Sequence, residues 1–393
     1  MDRKIFDEEH EMFRDSVRNF MINEIRPHSE KWHEQGIVDR EAYLKAGEMG
    51  LLLMWADEKY GGAGVSDFRY EQILIEENAH YGDAGFFMTL HNRLVGPYIG
   101  ELGTDEQKSR WLPKCVSGEN ILAVAISEPG AGSDVAGIRT KAEAKGDHYL
   151  LNGSKTYISN GINGDLIIVV ARTDPKSRHG LSLFVVERDM EGFERGRNLK
   201  KMGLKSQDTA ELFFNNVKVP KENLLGEVNR GFYSLMHFLA EERLLGACSY
   251  VANAEAAFNV TMEYVSERRA FGRSIAEFQN TRFKLADMRT EIDVGYAFVD
   301  RCVEEHNKGN LSADDAAKAK LWTSELEARV TDECVQLHGG AGYMDEYPIS
   351  RMYTNARVSR IYAGSSEIMR EIIARSIGLD PRKKDKTRRA SAA

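Results

Sequence analysis

The chain has 393 residues, of which 42% are hydrophobic and 29% charged, and its formal net charge is −8. This length allows two or three domains with buried cores, and the acidic balance argues against nucleic-acid binding, because phosphate affinity requires a basic surface. The opening residues MDRKIFDEEHEMF contain no apolar secretory segment, and no apolar run approaches the ~20 residues that cross a bilayer, so the sequence predicts a cytoplasmic protein without membrane contact.

Residues 1–120 have the pattern of a helical domain. Apolar side chains recur at helical spacing between Phe13 and Met21 in EEHEMFRDSVRNFMINEI, and Pro27 follows shortly afterwards. The glycine-rich stretch KYGGAGVSD (59–67) then predicts a break before a further helix. We therefore expect an N-terminal α-helical domain over residues 1–120.

Residues 121–230 change to the pattern of a β-domain. Five short runs are rich in β-branched and aromatic residues, namely 121–126, 148–159, 165–172, 181–187 and 209–220. The pair Asn152-Gly153 predicts a hairpin turn. Because no stretch of helical length connects these runs, the pattern predicts an antiparallel sandwich or barrel and not a parallel nucleotide-binding sheet.

Helical patterns return after Gly231. They predict four long helices, at about 232–268, 280–308, 313–338 and 348–377, joined by short turns. Long helices with short connections are typical of an antiparallel bundle. The predicted fold class is therefore α+β, with the N-terminal helical domain, the middle β-domain (121–230) and a C-terminal four-helix bundle (231–380), followed by a flexible basic tail (381–393).

The cysteines and histidines give no metal-ligand pattern. Cys115, Cys248, Cys302 and Cys334 lie far apart without a CxxC spacing, and no His/Cys cluster has the spacing of a zinc site. The sequence thus predicts reduced, mostly buried thiols and no metal centre.

Four segments carry residues suited to ligand binding, although each has an ordinary structural explanation when taken alone. SEPGAGSDVAG (127–137) offers small residues, free backbone N–H groups and hydroxyls that let a planar or anionic ligand approach closely. KTYISNG (155–161) adds an aromatic ring with neighbouring hydroxyls. ERRAFGRSIAEFQ (267–279) adds arginines, which pair well with phosphate. QLHGGAGY (336–343) is a glycine turn after a helix, which favours a simple C-cap.

Taken together and in this order, the motifs resemble those of the acyl-CoA dehydrogenase family over about residues 3–380, and the long-chain subgroup in particular. The motifs that carry the resemblance are EPGAGSD (128–134), NGSKTYISNG (152–161), MGLKSQDTAELFF (202–214), ERRAFG (267–272), QLHGGAGY (336–343) and IYAGSSEIMRE (361–371). The resemblance implies non-covalently bound FAD and a homotetramer. It also implies oxidation of a fatty acyl-CoA thioester to the trans-2-enoyl-CoA, with an electron-transferring flavoprotein as the acceptor.

The resemblance further implies which residues hold the ligands. For FAD they are Val124, Ile126, Ser127, Tyr157, Ser159, Arg268, Phe271, Gln279, Gln336, Gly339, Gly340, Ser365 and Glu367. In relatives, the contacts at Arg268, Phe271 and Gln279 are commonly made with a neighbouring subunit. For the acyl-CoA the implied residues are Ser133, Arg243, Ala363 and Gly364.

The catalytic base departs from the commonest family pattern. Many relatives carry a glutamate directly before the glycine of RIYAGSSEIM (360–369), where this chain has Ala363. The long-chain and isovaleryl subgroups instead place it on an earlier helix, directly before an arginine, and Glu242 precedes Arg243 here. The resemblance therefore implies that Glu242 takes the α-proton while the β-hydride goes to flavin N5. Glu241 points about 100° away on a helix, and the residues alone do not choose between the two.

An alanine at position 363 still supplies the backbone N–H donor of this segment. In relatives, the backbone N–H at this position donates to the thioester oxygen, and alanine supplies that donor as well as glutamate does. We therefore expect the contact with the thioester oxygen to persist at Ala363.

Three alternatives remain open from the sequence. The substrate could be a branched-chain or isoprenoid acyl-CoA, because a base on the earlier helix is compatible with both long straight and short branched chains. An acyl-CoA oxidase or flavin monooxygenase on the same fold is opposed by the chain length and by Glu242. A catalytically weak flavoprotein acting as a binding or assembly partner is favoured by Ala363 alone, and opposed by Glu242 and the retained flavin motifs.

Overall fold

The computed structural model describes residues 3–380, which form two compact units. The first unit, Lys4–Phe238, contains the N-terminal helices and a β-sheet, and the second is helical, begins at Leu239 and includes Arg3. The helical, β, helical order along the chain confirms the predicted fold class. The exact domain limits stay predictions, and the predicted basic tail lies outside the described residues. None of the helices in this part of the chain has the length and apolarity needed to cross a membrane.

In the described part of the chain, six α-helices precede the sheet. They are α1 Glu8–Phe20, α2 Ser29–Gln35, α3 Arg40–Glu48, α4 Phe68–Tyr81, α5 Gly96–Leu102 and α6 Asp105–Val116. Asp7 and Asp67 cap α1 and α4, because each side chain accepts a backbone N–H of the first turn. Thr104 and Gln107 form a capping box at the start of α6. The helical prediction for this region is thus confirmed, including the break before α4.

Among residues 3–380, eight strands form one sheet. They are β1 Leu122–Ala125, β2 Lys141–Lys145, β3 His148–Ser159, β4 Leu166–Arg172, β5 Leu181–Glu187, β6 Phe193–Asn198, β7 Thr209–Pro220 and β8 Leu224–Leu225. The order is β6-β7-β3-β2-β4-β5-β8, with β1 beside β4. Most neighbours are antiparallel as predicted, but β1 pairs with β4 in parallel, and β2 does so at one residue pair. The sequence missed β2, β6 and β8, which are short or lack apolar runs.

Alternate residues of β4 face two different cores. Ile168 and Val170 pack in a cluster with the N-terminal helices, whereas Ile167 and Val169 pack with apolar residues of β3 and β7. This is the two-residue period expected of a strand covered on both faces. The sheet therefore gives rigid support to the loops at its edges.

The hairpin predicted at Asn152-Gly153 is wrong. β3 runs through this pair, and its register against β7 shifts here, which marks a β-bulge. The Asn152 side-chain oxygen accepts the Asn216 N–H at 2.9 Å, so the amide pairs with the facing strand instead of closing a turn. A Cβ at Gly153 would lie 2.5 Å from the Thr140 hydroxyl, so the close approach of the two segments requires glycine. The turn lies instead at Gly146, between β2 and β3.

Between Gly231 and Ser376 the chain is mostly helical, with one short hairpin and short turns between the helices. The elements are α7 Gly231–Glu267, β9 Arg269–Ala270, β10 Arg273–Ser274, α8 Gln279–Asn307, α9 Ala313–His338, α10 Pro348–Ala356 and α11 Ser366–Ser376. The first three predicted helices are confirmed, but the single helix predicted over 348–377 is wrong. Ala363 and Gly364 have φ values of +52° and +90°, which a right-handed helix cannot contain. Ser365 then caps α11 by accepting the Ile368 N–H.

All four cysteines are buried and free, as predicted. Burial raises the pKa of the Cys115 thiol far above its ordinary value and raises the pKa values of Cys302 and Cys334 to about 11. At neutral pH these three side chains are therefore thiols and not reactive thiolates.

A buried histidine ties the N-terminal helices to the first strand. His91 lies in the π-helical turn Leu90–Val95 and is fully buried. Its Nε2–H donates to the Cys115 carbonyl at 2.9 Å, and its Nδ1 accepts the Leu122 N–H at 3.1 Å. This pair of contacts requires the neutral ring, because a protonated Nδ1 would face another donor. Burial lowers the pKa of His91 to about 4.

We expect acid pH to lower the free energy of unfolding of His91→Gln by less than it lowers that of the wild type. Because the folded pKa lies below the ordinary value of 6.5, the contribution of His91 is complete above pH 6.5 and is lost as the pH falls towards 4. Linkage gives a loss of about 2 kcal/mol at pH 5 in the wild type. Thermal unfolding at near-neutral pH and at about pH 5 measures the difference. The exposed His28→Gln is the control, and equal acid sensitivity of wild type and His91→Gln would contradict this account.

Candidate active site

A buried ion pair anchors the loop that follows β1. Lys155 on β3 is fully buried, and its Nζ donates to Glu128 Oε1 and to the Ile126 carbonyl, both at 2.9 Å. The Glu128 carboxylate also accepts the N–H groups of Arg139 and Thr140 at 2.7 and 2.9 Å. Burial lowers the pKa of Lys155 to about 8, and the charge of Glu128 opposes this change. Both ends of the loop 127–137 are thus tied to one carboxylate.

Tyr157 occupies a strained backbone position beside the start of this loop. It has φ +62°, and 73% of its side chain is exposed. The register of β3 against β7 shifts between Lys155 and Ile158, so the strand carries a second bulge here. The Thr156 N–H donates to the Ser127 carbonyl at 3.0 Å, which brings the end of β1 next to the bulge. A large ring held exposed at a disfavoured φ is typical of a functional site.

Several polar groups around this bulge have no partner in residues 3–380. The hydroxyls of Ser127, Ser133 and Ser159 make no hydrogen bond with any described residue. A Cβ at Gly130 or Gly132 would meet nothing within 4 Å, so no described neighbour requires glycine there. The predicted ligand residues of this unit are all partly or fully exposed to solvent. They are Val124, Ile126, Ser127, Ser133, Tyr157 and Ser159. Unpaired donors and open space fit a bound planar, polar group.

In the helical unit, α7 carries the two adjacent carboxylates, of which the resemblance selected Glu242. Glu241 Oε2 lies 3.4 Å from His306 Nε2 on α8. Glu242, by contrast, forms no hydrogen bond or ion pair with any described residue. Burial raises the pKa of Glu242, and the charges of Arg243 and Lys320 oppose part of that rise. Glu241 is therefore paired with a histidine, whereas Glu242 is an unpaired carboxylate of increased basicity.

Arg243 is buried without full hydrogen bonding. Only 6% of the residue is exposed, and its Nε has no partner among the described residues. Burial lowers the pKa of Arg243, and the charge of Glu242 opposes this. Because buried guanidinium groups are normally hydrogen-bonded, this donor fits a polar or anionic ligand.

A second buried lysine holds the turn between α10 and α11. Lys320 on α9 is fully buried, and its Nζ donates to the carbonyls of Ser359 at 2.7 Å and Gly364 at 2.8 Å. Burial lowers the pKa of Lys320 to about 8. The backbone N–H groups of Ala363, Gly364 and Ser365 make no hydrogen bond with any described residue. Such a run of free N–H groups forms a surface suited to an anion or a carbonyl oxygen.

Beside this turn lies a buried polar cluster that the sequence did not predict. Glu327 on α9 is only 2% exposed, and its Oε1 accepts a hydrogen bond from Asn253 Nδ2 at 2.9 Å. Burial raises the pKa of Glu327 to about 8, so this carboxyl is largely protonated at neutral pH. The rings of Tyr250 and Tyr362 stack nearby with their centroids 6.3 Å apart. No sequence motif marks these residues.

Two further groups of predicted residues meet at Tyr264 of α7. Its carbonyl accepts the Arg268 N–H at 2.9 Å, and its hydroxyl donates to the His338 carbonyl at 3.2 Å. Phe271, in the turn between β9 and β10, is 95% exposed and has φ +52°. The predicted residues exposed in these two segments are Arg268, Phe271, Gln279, Gln336, Gly339 and Gly340. The side chains of Arg268, Gln279 and Gln336 make no hydrogen bond within residues 3–380.

The last two predicted residues lie at the start of α11. Ser365 is the N-cap of this helix, and Glu367 is exposed in its first turn. A hydrogen bond from Ser365 lowers the pKa of Glu367. Ser365 thus has a structural role that does not depend on a ligand.

Within the helical unit, the predicted residues form two groups. Glu242, Arg243 and the turn at Ala363-Gly364 are linked through Lys320, by its electrostatic interactions and its hydrogen bonds. The segments around Arg268 and Gly339 meet at Tyr264 instead. The first group is the candidate catalytic centre, and the second presents the exposed residues.

Comparison with known proteins matches nearly the whole chain to the domains of one protein family. Family models described as the N-terminal, middle and C-terminal domains of acyl-CoA dehydrogenase match residues 7–119, 123–217 and 229–378. The mitochondrial long-chain specific acyl-CoA dehydrogenase of Mus musculus is 48% identical over 381 residues, which cover 96% of this chain and 88% of that protein.

Two solved structures extend the comparison. The crystal structure of an acyl-CoA dehydrogenase from Geobacillus kaustophilus is 50% identical, with a TM-score of 0.94, and the match covers 96% of this chain and 100% of that one. An acyl-CoA dehydrogenase from Bacillus anthracis complexed with FAD is 32% identical, with a TM-score of 0.89 and coverage of 96% and 68%. These proteins are similar to this chain in sequence and in fold.

Lys155→Met should lower the free energy of unfolding by about 3 kcal/mol or more, because it leaves the buried Glu128 carboxylate without its counter-charge. We also expect the loop 127–137 to become more sensitive to limited proteolysis. Denaturant unfolding and protease digestion measure the two effects. Lys141→Met is the matched control, since it removes an exposed lysine that pairs with Glu143 and should cost less than about 1 kcal/mol. Equal losses in the two variants would refute the anchoring role.

Proposed function

Since this chain belongs to the acyl-CoA dehydrogenase family, we propose that it oxidises a long-chain fatty acyl-CoA thioester to the trans-2-enoyl-CoA with FAD as cofactor. Glu242 takes the α-proton in this proposal, and FAD, when bound, accepts the β-hydrogen with its electron pair at N5. The observation that carries the assignment is the state of Glu242. It is an unpaired carboxylate whose pKa is raised by burial, and Lys320 links it to a turn of free N–H groups.

Glu242 is suited to remove a weakly acidic proton. Burial raises the pKa of Glu242 and makes it a stronger base, while the charges of Arg243 and Lys320 oppose part of that rise and favour the ionised form. Glu241 is held by His306, so its carboxylate is already engaged. At position 363 the chain has no carboxylate that could compete for the proton.

The backbone N–H of Ala363 is the proposed donor to the thioester carbonyl oxygen. Removal of the α-proton places negative charge on that oxygen, and a donor that is already in place stabilises it without reorganisation. This N–H has no partner among residues 3–380, and its turn is fixed by hydrogen bonds from Lys320. The unpaired guanidinium Nε of Arg243 supports a role in substrate binding.

The residues present fit FAD. Around the Tyr157 bulge, unpaired hydroxyls, an exposed aromatic ring and two glycines with open space suit a planar ring that carries hydrogen-bonding edges. The unpaired guanidinium of Arg268 suits a diphosphate. The proposed FAD residues are therefore Val124, Ile126, Ser127, Tyr157 and Ser159 in the first unit, and Arg268, Phe271, Gln279, Gln336, Gly339, Gly340, Ser365 and Glu367 in the helical unit. Ser133, Arg243, Ala363 and Gly364 are proposed for the substrate.

The long-chain substrate class is inferred from 48% identity to the mouse long-chain enzyme over nearly the whole chain. An electron-transferring flavoprotein as acceptor and a homotetrameric assembly are proposed from family membership. The cytoplasmic location stays a prediction from the sequence.

A branched-chain or isoprenoid acyl-CoA is the second candidate substrate. It is compatible with a base on the earlier helix, which the resemblance implies for the isovaleryl subgroup as well as for the long-chain one. The state of Glu242 supports activity on either class, and it opposes the alternative of a catalytically weak flavoprotein.

Glu242→Gln should slow flavin reduction by acyl-CoA by about 10²- to 10⁴-fold, because an amide cannot accept the α-proton. The FAD content of the purified protein should not change. Anaerobic stopped-flow bleaching of the flavin measures the rate, and flavin absorbance measures the content. In the wild type, the rate should fall as the pH drops below the raised pKa of Glu242, since the protonated carboxyl is not a base.

Glu241→Gln is the matched control for this experiment and should keep a rate close to that of the wild type. A Glu242→Gln protein with a near-normal rate would place the base elsewhere. A wild-type protein that binds FAD but is bleached by no acyl-CoA would favour the catalytically weak flavoprotein. Turnover coupled to rapid oxygen consumption would favour an oxidase.

A substrate series should show kcat/KM rising from butyryl-CoA to palmitoyl-CoA by about tenfold or more, since each buried methylene contributes up to ~0.8 kcal/mol. Steady-state assays with an artificial electron acceptor measure this, and isovaleryl-CoA and 2-methyl-branched acyl-CoAs belong in the same series. Highest kcat/KM on a branched substrate would instead assign the second candidate.

A further inference from the structure

We propose that Lys320 is a positioning residue for this dehydrogenation: its ammonium group, bonded to the carbonyls of Ser359 and Gly364, holds the Ala363 N–H in place for the thioester oxygen. The inference rests on the proposed function. It adds a residue that no sequence motif singled out.

Local backbone hydrogen bonds do not fix the turn at Ala363 and Gly364. Before it, the N–H groups of Ile361 and Tyr362 bond to the Val358 carbonyl, and after it Ser365 caps α11. Between these points, the N–H groups of Ala363 and Gly364 make no hydrogen bond with a described residue, and both residues have positive φ. Alanine disfavours that conformation. The two hydrogen bonds from Lys320, one on each side of Ala363, supply the missing constraint.

The environment of the ammonium group is unusual for a buried lysine. Lys155, the other fully buried lysine, pairs directly with a carboxylate, whereas Lys320 forms no ion pair within residues 3–380. The charged groups that act on it from a distance include Glu325, Arg243, Glu242, Glu327 and Glu367, and its Nζ lies 5.8 Å from the centroid of the titratable Tyr250 ring. Its charge is therefore not neutralised by a bonded carboxylate, and it lies beside the turn where the substrate oxygen gains negative charge.

A purely structural role would require Lys320 to attach α11 to α9, but another residue already does this. Glu325 on α9 accepts a hydrogen bond from the Ser366 hydroxyl at 2.7 Å and lies 3.4 Å from an Arg370 guanidinium nitrogen. Without Lys320, α11 therefore stays attached to α9, and the contacts that are lost are those that fix the turn at Ala363-Gly364.

The test uses a substrate analogue that can lose its α-proton but not a hydride. A long-chain 3-thia-acyl-CoA has sulfur in place of the β-carbon, and its deprotonated form gives a long-wavelength charge-transfer band with oxidised FAD. In the FAD-loaded Lys320→Met protein, we expect the apparent pKa of the bound analogue to rise by about 1 to 2 units. We expect kcat on palmitoyl-CoA to fall about 10- to 100-fold, with KM changed less than about threefold.

Lys318→Met is the matched control, because Lys318 lies on the same helix but pairs with Asp314 and Asp315 at the surface. It should leave both quantities unchanged. Lys320→Gln keeps an amide donor near the carbonyls and removes the charge, so it should shift both quantities in the same direction by a smaller amount.

Unchanged analogue pKa and kcat in Lys320→Gln or Lys320→Met, with only a lower melting temperature, would overturn the proposal. Loss of FAD binding in both variants would also overturn it, since Lys320 would then serve the fold. Failure of the proposed function has a different signature, because then the wild-type protein itself is reduced by no acyl-CoA.

Discussion

A buried ammonium group bonded to backbone carbonyls is the constraint on which both functional regions depend. In the first unit Lys155 bonds to the Ile126 carbonyl, and in the helical unit Lys320 bonds to Ser359 and Gly364. Removing a cation from water is costly, so each lysine must retain its contacts, and the backbone segments cannot move without breaking them. The loops next to the proposed ligand positions are therefore held by the interior of their own unit.

The two lysines differ in how their charge is balanced, and the difference follows the chemistry proposed for each region. Lys155 is matched by Glu128, which gives an anchor that is neutral overall. Lys320 bonds to uncharged carbonyls and leaves its positive charge to act on its surroundings, including Glu242. An excess positive charge is useful where a carboxylate must stay ionised and an oxygen must become negative.

The sequence predicted the fold well where a single periodicity continues over a whole element. The strands β3, β5 and β7 and the helix α9 begin and end where their patterns do. It failed where one or two residues decide the conformation. Asn152-Gly153 has the composition of a turn, but here a cross-strand hydrogen bond to Asn216 keeps the chain extended. Ala363 gives no local signal of a positive φ, because its conformation is set by Lys320, 43 positions earlier in the chain.

The candidate site was predictable to the same extent. The resemblance selected Glu242 because it directly precedes Arg243, and the fold adds an independent difference from Glu241, which contacts His306. The roles of Glu242 and of the exposed loop residues stay proposals. Lys320 and Glu327 fall at core spacing on α9, so charged residues at core positions were the one available signal. A charged residue at a core position can be interpreted only when its hydrogen-bonding partner is known. Here the partners come from distant segments: a backbone carbonyl for Lys320 and the Asn253 amide for Glu327.

The buried cysteines have a practical consequence for experiments on this chain. Since every native thiol is shielded from solvent, a single cysteine introduced at a surface position should be modified by maleimide reagents without first mutating the others. Phe271, which is almost fully exposed in the β9–β10 turn and is itself a proposed FAD residue, offers a position for a fluorescent or spin label that probes this turn directly. Such a label would report on whatever approaches that hairpin, in an otherwise native sequence.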